Sequence, residues 1–242
     1  MSRKFFILWV VLVIGIVVIW AVNQPAADTR PTQIVYRFDD HRYLELKGWN
    51  CEGELWYIDK QRNIHSQIAY QFYQIFTRPF IHPSERYIAI PWWDTITGGF
   101  TVSKDYGRTW ERGGASMRGP NEPDGSDAPY YKDVLSFTVV NDQGFLQTKH
   151  RLYMSSKPYD DPRLAPGGPG VTYQAEDGSV HHIKPLFPGA AWGMVYMTKE
   201  GLPSSIEQFK INWQGQPDKV PEVKNYTGWD HMRCDMDKGR GV

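Results

Sequence analysis

The chain is poor in cysteine, carries no surplus of charge of either sign, and beyond one early apolar run has no window with a helical stripe. Lys and Arg number 27 and Asp and Glu number 27. That balance argues against a nucleic-acid surface, which would need a basic patch. The usual signatures of catalysis are missing too. The histidines His41, His65, His82, His150, His181, His182 and His231 form neither H-x-x-x-H nor H-E-x-x-H, so a zinc site is unsupported. His181 and His182, adjacent on a strand, would point to opposite faces and read as a surface pair. Gly114-Ala115-Ser116-Met117-Arg118 lacks the closing glycine of a nucleophile elbow. Gly167-Gly168-Pro169-Gly170 contains proline and reads as loop, not as a phosphate cradle. Carboxylates recur at Asp39-Asp40, Asp124, Asp127 and Asp160-Asp161. Glycosidase chemistry would depend on their separation in space, and solvated loop acids are the simpler reading. The expectation is a non-catalytic protein with no cofactor and no metal.

What is present begins at the N-terminus. Arg3 and Lys4 precede an uncharged run from Phe5 to Val22, 18 residues in which only Gly15 and Ala21 lack a large apolar side chain. Spanning helices need about 17–25 such residues, whereas signal-peptide cores run to about 7–15. Ala21-Val22-Asn23 and Pro25-Ala26-Ala27 offer no good pair of small residues for cleavage. Residues 1–22 therefore read as a cytoplasmic tip and transmembrane signal-anchor. The basic pair stays inside, so the rest is translocated. This places the chain in an inner membrane as a single-pass protein with its C-terminal domain in the periplasm. Residues 23–33 read as a tether. The two cysteines, Cys51 and Cys234, lie on the translocated side, where disulfides persist. With no metal-like spacing, one bridge joining the start of the domain to its end is expected.

From residue 34 to 242 the pattern is β-rich. Strand-like runs fall at Ile34–Phe38, Arg42–Leu46, Glu54–Ile58, Ile64–Ala69, Tyr87–Trp93, Gly99–Val102, Thr109–Glu111, Val134–Val140, Phe145–Tyr153, Val171–Thr172-Tyr173 and Val180–Ile183, with weaker runs at Met194–Thr198 and Phe209–Trp213. Pro91 should end its strand or push it to an edge. Asn141-Asp142-Gln143-Gly144 and Glu176-Asp177-Gly178-Ser179 are hairpin signals. Ser204–Phe209 has room for one helical turn. The 22 glycines and 17 prolines suit many turns. Strand spacing of about 8–12 residues predicts a mainly β domain, a β-sandwich or a small propeller-like fold, after one N-terminal transmembrane helix. Gly113–Pro129 and Lys157–Gly170 read as long surface loops. Trp93 and Asp94, where the Tyr87–Trp93 run ends, and Asp124, Asp127, Tyr130, Tyr131, Asp160 and Asp161, on or beside the two loops, are the expected partner-binding residues, because Tyr and Trp carry much interface energy. One of Trp92 and Trp93 should face the core.

The sharpest motif is Ser103-Lys104-Asp105-Tyr106-Gly107-Arg108-Thr109-Trp110, which resembles the Asp-box, S-x-D-x-G-x-T-W, of sialidase-like propellers. Asp105 can accept backbone N–H groups in the turn, Gly107 supplies a conformation a Cβ disfavours, Thr109 starts the return strand and Trp110 packs beneath. In those families the box is structural. It occurs once here, which weighs against a sialidase-like or carbohydrate-binding propeller. A wider order, Cys51–Asp59, then Phe80–Pro91, then Gly99–Ser103 running into the box, resembles the immunity proteins that protect bacteria from lipase-class effectors of the type VI secretion system. The resemblance covers roughly residues 49–156. It implies a non-enzymatic periplasmic protein whose partner is a cognate secreted lipase effector, neutralised by direct binding. An envelope adaptor is a third reading.

Overall fold

The computed structural model describes residues 28–93, 98–113, 117–185, 192–204 and 211–240. The apolar run Phe5–Val22 lies outside them. Among the described residues no helix is long and apolar enough to cross a membrane. The protein from Pro31 onward forms one compact unit, and it is mainly β.

The first sheet is an antiparallel meander of β1 (Thr32–Arg37), β2 (Arg42–Trp49), β3 (Glu52–Asp59) and β4 (Ile64–Gln74), in that spatial order. Its period-two pattern is plain. Leu44, Leu46, Leu55 and Tyr57 are fully buried, while Glu45, Lys47, Glu54 and Trp56 between them stay part-exposed, as a sheet with one covered face requires. Asn50 and Cys51 close β2 onto β3 as a two-residue loop with φ of 55° and 61°, the doubly left-handed geometry of a tight hairpin. Gly48 and Gly53 pair beside it, and a Cβ on Gly53 would lie 2.3 Å from the Lys47 carbonyl. β1 begins at Thr32, before the expected Ile34, and β4 runs to Gln74, beyond the expected Ala69.

After β5 (Phe80–Ile81) comes a second sheet of β6 (Ile88–Trp93), β7 (Gly98–Ser103) and β8 (Glu111–Gly113). Pro91 sits in β6, an edge strand, where its missing N–H costs no central ladder bond. Trp92 is part-buried against the core, as expected. The third sheet runs β5, β10 (Val134–Val140), β11 (Gln143–Thr148), β12 (Leu152–Ser155), β15 (Tyr196–Met197) and β9 (Met117–Arg118). The β10–β11 turn needs only Asn141 and Asp142, both at positive φ, with Val140 pairing Gln143. β9 lies inside the Gly113–Pro129 stretch and pairs in parallel with β15, so that stretch is not all loop. β13 (Val171–Gln174) and β14 (Val180–Ile183) form a separate hairpin, and the 3-10 turn Pro162–Leu164 interrupts the second expected loop. Of the strand expected over Phe209–Trp213, the described part is not a strand. Residues 211–213 make a helical turn, and Ile211 and Trp213 enter different apolar clusters, whereas residues two apart on a strand would share one face. Residues Lys199–Ser204 are 3-10; the rest of the helical turn expected at Ser204–Phe209 falls outside the described residues.

One apolar cluster draws on all three larger sheets. At its centre the fully buried Phe80 ring meets Tyr36 at 4.5 Å, Phe137 at 5.8 Å and Phe76 at 6.3 Å between centroids. The C-terminal stretch 226–235 closes this core without forming a strand. Trp229 N–H donates to the Arg37 carbonyl and Arg233 N–H to that of Val35, along the free edge of β1, while the Asp230 carbonyl accepts from Phe80 N–H on β5. Met232 is buried, and its sulfur accepts from Phe76 N–H (3.4 Å). The strap is fixed by the Cys51–Cys234 disulfide, with 5.9 Å between Cα atoms across a separation of 183 residues.

A polar seam crosses the same core. Arg42, 2 % exposed, donates to Asp39 Oδ2 (2.6 Å) and to the Ser84 (2.7 Å) and Pro83 (3.3 Å) carbonyls. The neighbouring His82 is fully buried and accepts the Ala89 N–H at Nε2 (3.1 Å). Burial first, and then the positive Arg42, push its pKa well below the ordinary imidazole value, so it folds neutral.

Two outcomes follow from this architecture. Reducing the disulfide, or replacing Cys234 by Ser, should cost about 3–5 kcal/mol by loop entropy and lower the melting temperature by roughly 6–20 °C for a domain of this size; a scan with and without reductant reads it. For His82 the folded pKa lies below the unfolded one, so the unfolded chain binds the extra proton. Stability should therefore fall as pH drops below about 6.5, and His82→Gln should remove that limb of the stability–pH curve, in chemical denaturation at stepped pH.

Candidate partner-binding surface

The Ser103–Trp110 turn is built by hydrogen bonds from its own residues. Asp105 Oδ1 accepts from Thr109 N–H (2.9 Å), Arg108 N–H (3.1 Å) and Ser103 Oγ (2.8 Å), and Oδ2 from Thr109 Oγ1 (2.7 Å). Partial burial opposes ionisation of Asp105, but the bonds from Thr109, Ser103 and Arg108 outweigh it and hold its pKa below the usual carboxylate value. Ser103 Oγ also accepts the Gly107 N–H (2.8 Å). Gly107 has φ 87°, and a Cβ there would lie 2.3 Å from the Tyr57 ring. The turn also docks onto the first sheet. Ser66 Oγ donates to the Gly107 carbonyl (2.5 Å), Trp110 Nε1 donates to Ser66 Oγ (2.8 Å), and the Arg62 guanidinium lies 4.7 Å from the Tyr106 ring centroid. Arg62 is itself held by the buried Asp59 (2.9 Å) and by Glu85. The turn thus fastens the second sheet to the β3–β4 corner.

The structure scatters the expected partner-binding residues. Asp94 and the Trp93 side chain lie outside what is described. Asp124 is exposed and accepts from Ser126 N–H (3.1 Å) and Oγ (2.7 Å), bonds that lower its pKa. Asp127 is exposed. Tyr130 and Asp124 line a cleft of about 310 Å³ with Glu122, Asp133 and His150. Tyr131 turns inward instead: its hydroxyl bonds Thr77 N–H (2.8 Å) and Oγ1 (2.6 Å), under the Arg78 guanidinium. Asp160 pairs with Arg86 through both oxygens (2.5 and 3.0 Å), and Asp161 is held by Arg163, which brings its pKa down to about 2. Among the described residues, the structure therefore brings together Asp124 and Tyr130 at one cleft.

A more prominent surface lies on β4, the free edge of the first sheet. Ala69 pairs with Leu55 and Tyr73 with Gly53, so β4 has three residues between its inward positions where β3 has only Glu54. Tyr70, Gln71 and Phe72 bulge outward. Tyr70 is 80 % and Phe72 70 % exposed, and Phe72 sits at φ 61°. A bulky residue in that region is a genuine outlier, at a cost of about 1–3 kcal/mol. The run Tyr70-Gln71-Phe72-Tyr73-Gln74 carries no sequence signal of the bulge, because β4 has no period-two burial for it to break. Trp49, 41 % exposed, stands at the same end of the sheet, in the row Trp49, Glu52, Gln74. That end is anchored beside Cys51.

The family model of the T6SS Tli3 immunity protein matches residues 28–148, the stretch from β1 to the end of β11. The chain belongs to this immunity family. No curated protein matches the chain. Tli3 membership implies a non-enzymatic protein that acts by binding a cognate type VI effector. Against that background the Ser103–Trp110 turn belongs to the Tli3-matched half and reads as scaffold. Asp105→Ala, which strips four acceptor contacts from the turn, should destabilise the domain by about 1–3 kcal/mol in urea unfolding, with no more than a two- to threefold change in effector affinity once the protein is folded.

Proposed function

We propose that this protein is a periplasmic, inner-membrane-anchored immunity protein that neutralises a lipase-class effector of the type VI secretion system by binding it directly. The observation that carries the reading is the family match, which spans the first sheet, the second sheet and the β10–β11 hairpin. Lipase specificity rests on the order of motifs Cys51–Asp59, Phe80–Pro91 and Gly99–Ser103, which resembles immunity proteins against that effector class. The compartment rests on two independent features. Arg3 and Lys4 before the Phe5–Val22 run orient the chain outward, and the Cys51–Cys234 bridge suits an oxidising space. Anchoring would hold the inhibitor at the membrane where a lipase finds its substrate.

The test is rescue. The protein encoded by the adjoining gene, tested as the candidate effector, is exported to the periplasm of a sensitive strain, with and without the full chain. Growth should recover only when this protein is itself exported. Toxicity undiminished by the exported chain, or rescue by a cytoplasmic form alone, would overturn the reading.

A further inference from the structure

The geometry points to the bulged edge of β4, with Tyr70 and Phe72 as anchors, as the face that engages the effector; this inference rests on the immunity reading above. Three observations meet there. Two large aromatic side chains, Tyr70 and Phe72, stand mostly in solvent within three residues of each other, and aromatic anchors dominate protein interfaces. The Phe72 backbone is left-handed, and strain of this kind persists only where the surrounding structure imposes it. Here the surroundings do impose it: Tyr73 is buried with its hydroxyl on the Pro91 carbonyl (3.0 Å), Ala69 is fixed by its pairing to Leu55, and the adjoining hairpin is locked by the close Gly48–Gly53 approach and the disulfide. The aromatics are therefore held out in advance of any partner, which lowers the entropic cost of binding.

The flanking charges describe the partner. The outward face of β2 and β3 next to the bulge carries Glu45, Glu52 and Glu54 against the single cation Lys47, all part-exposed, and Glu54 lies directly opposite the bulge by register. The complementary surface is an apolar recess on the effector rimmed by Lys or Arg, with the Tyr70 and Phe72 rings seated in the recess and the glutamates meeting the rim.

Phe72→Gly separates binding from folding, because glycine accepts positive φ without strain. The full chain, purified in detergent, is titrated with a catalytically inactive form of the effector that it protects against in the rescue test. Expected are a melting temperature equal to or a few degrees above that of the parent, an intact disulfide, and affinity reduced about tenfold or more; Tyr70→Ser should act alike, and the double variant should lose periplasmic rescue. Val180→Ser, removing an equally exposed apolar side chain on β14, should change nothing. If the parent binds and both β4 variants bind within about threefold of it, the β4 face is wrong while the immunity reading stands. If the variants instead abolish self-association and leave effector affinity unchanged, the face is an interface between copies and the inference falls. A parent chain that does not bind the effector at all removes both.

Discussion

The fold depends on one constraint, the closure of the β1 edge by the C-terminal strap. β1 is the outer strand of a four-stranded meander, and an unpaired edge of that length exposes a row of backbone donors and acceptors. Residues 229 and 233 cap its carbonyls at Arg37 and Val35, and Asp230 reaches across to Phe80 on the large sheet. Two sheets that share no strand are thereby joined along their edges. The cost is entropic, since the strap lies nearly two hundred residues from its partner in sequence. The Cys51–Cys234 bridge offsets it by restricting the unfolded chain. A domain built this way is suited to an oxidising compartment.

The remaining seams use polar groups where a mainly apolar core would leave the sheets free to slide. Arg42 on β2 donates to the Pro83 and Ser84 carbonyls, which sit between β5 and β6, and the Ser103–Trp110 turn grips Ser66 on β4. Each contact is directional, so each fixes a register that hydrophobic burial alone does not specify. A buried guanidinium with every nearby carbonyl aimed at it is tolerable only because the charge is paired with Asp39 and hydrogen-bonded.

Much of this is legible in the sequence because it is local. Alternation in Arg42–Leu46 and Glu54–Ile58, the Asn-Asp turn at 141–142 and the spacing in Ser103–Trp110 each depend on neighbours within a few residues. The cysteine count pointed to the bridge because only one pairing existed. What alternation could not give was non-local: the two-residue strands β5 and β9 exist only because β10 and β15 lie alongside, and short apolar pairs carry no period, so β15 itself was legible only as the weak run Met194–Thr198. Tyr131 illustrates the same limit in the site. A tyrosine closing a polar loop looks like an interface residue, yet its hydroxyl is committed to Thr77, a contact across more than fifty residues. Tyr70 and Phe72 look like the continuation of a strand, and only the register against Gly53 and Leu55 reveals two extra residues and hence a bulge.

That bulge and the strap are coupled through the end of the first sheet. Cys51 occupies a left-handed hairpin position, Trp49 and Glu52 flank it, and Gln74 lies in the same row as Glu52, bonded to it at 3.1 Å. Anything that loosens the disulfide frees the hairpin, and with it the register that forces Phe72 out of the ladder. An inhibitor of a secreted toxin gains from this arrangement. A preformed binding edge avoids ordering costs at the encounter, and the Cys51–Cys234 bridge beside it helps to hold its shape. The family match ends at residue 148, whereas the bond's second cysteine and the strap come later. The matched half holds the aromatic edge, and the C-terminal stretch holds that edge in shape.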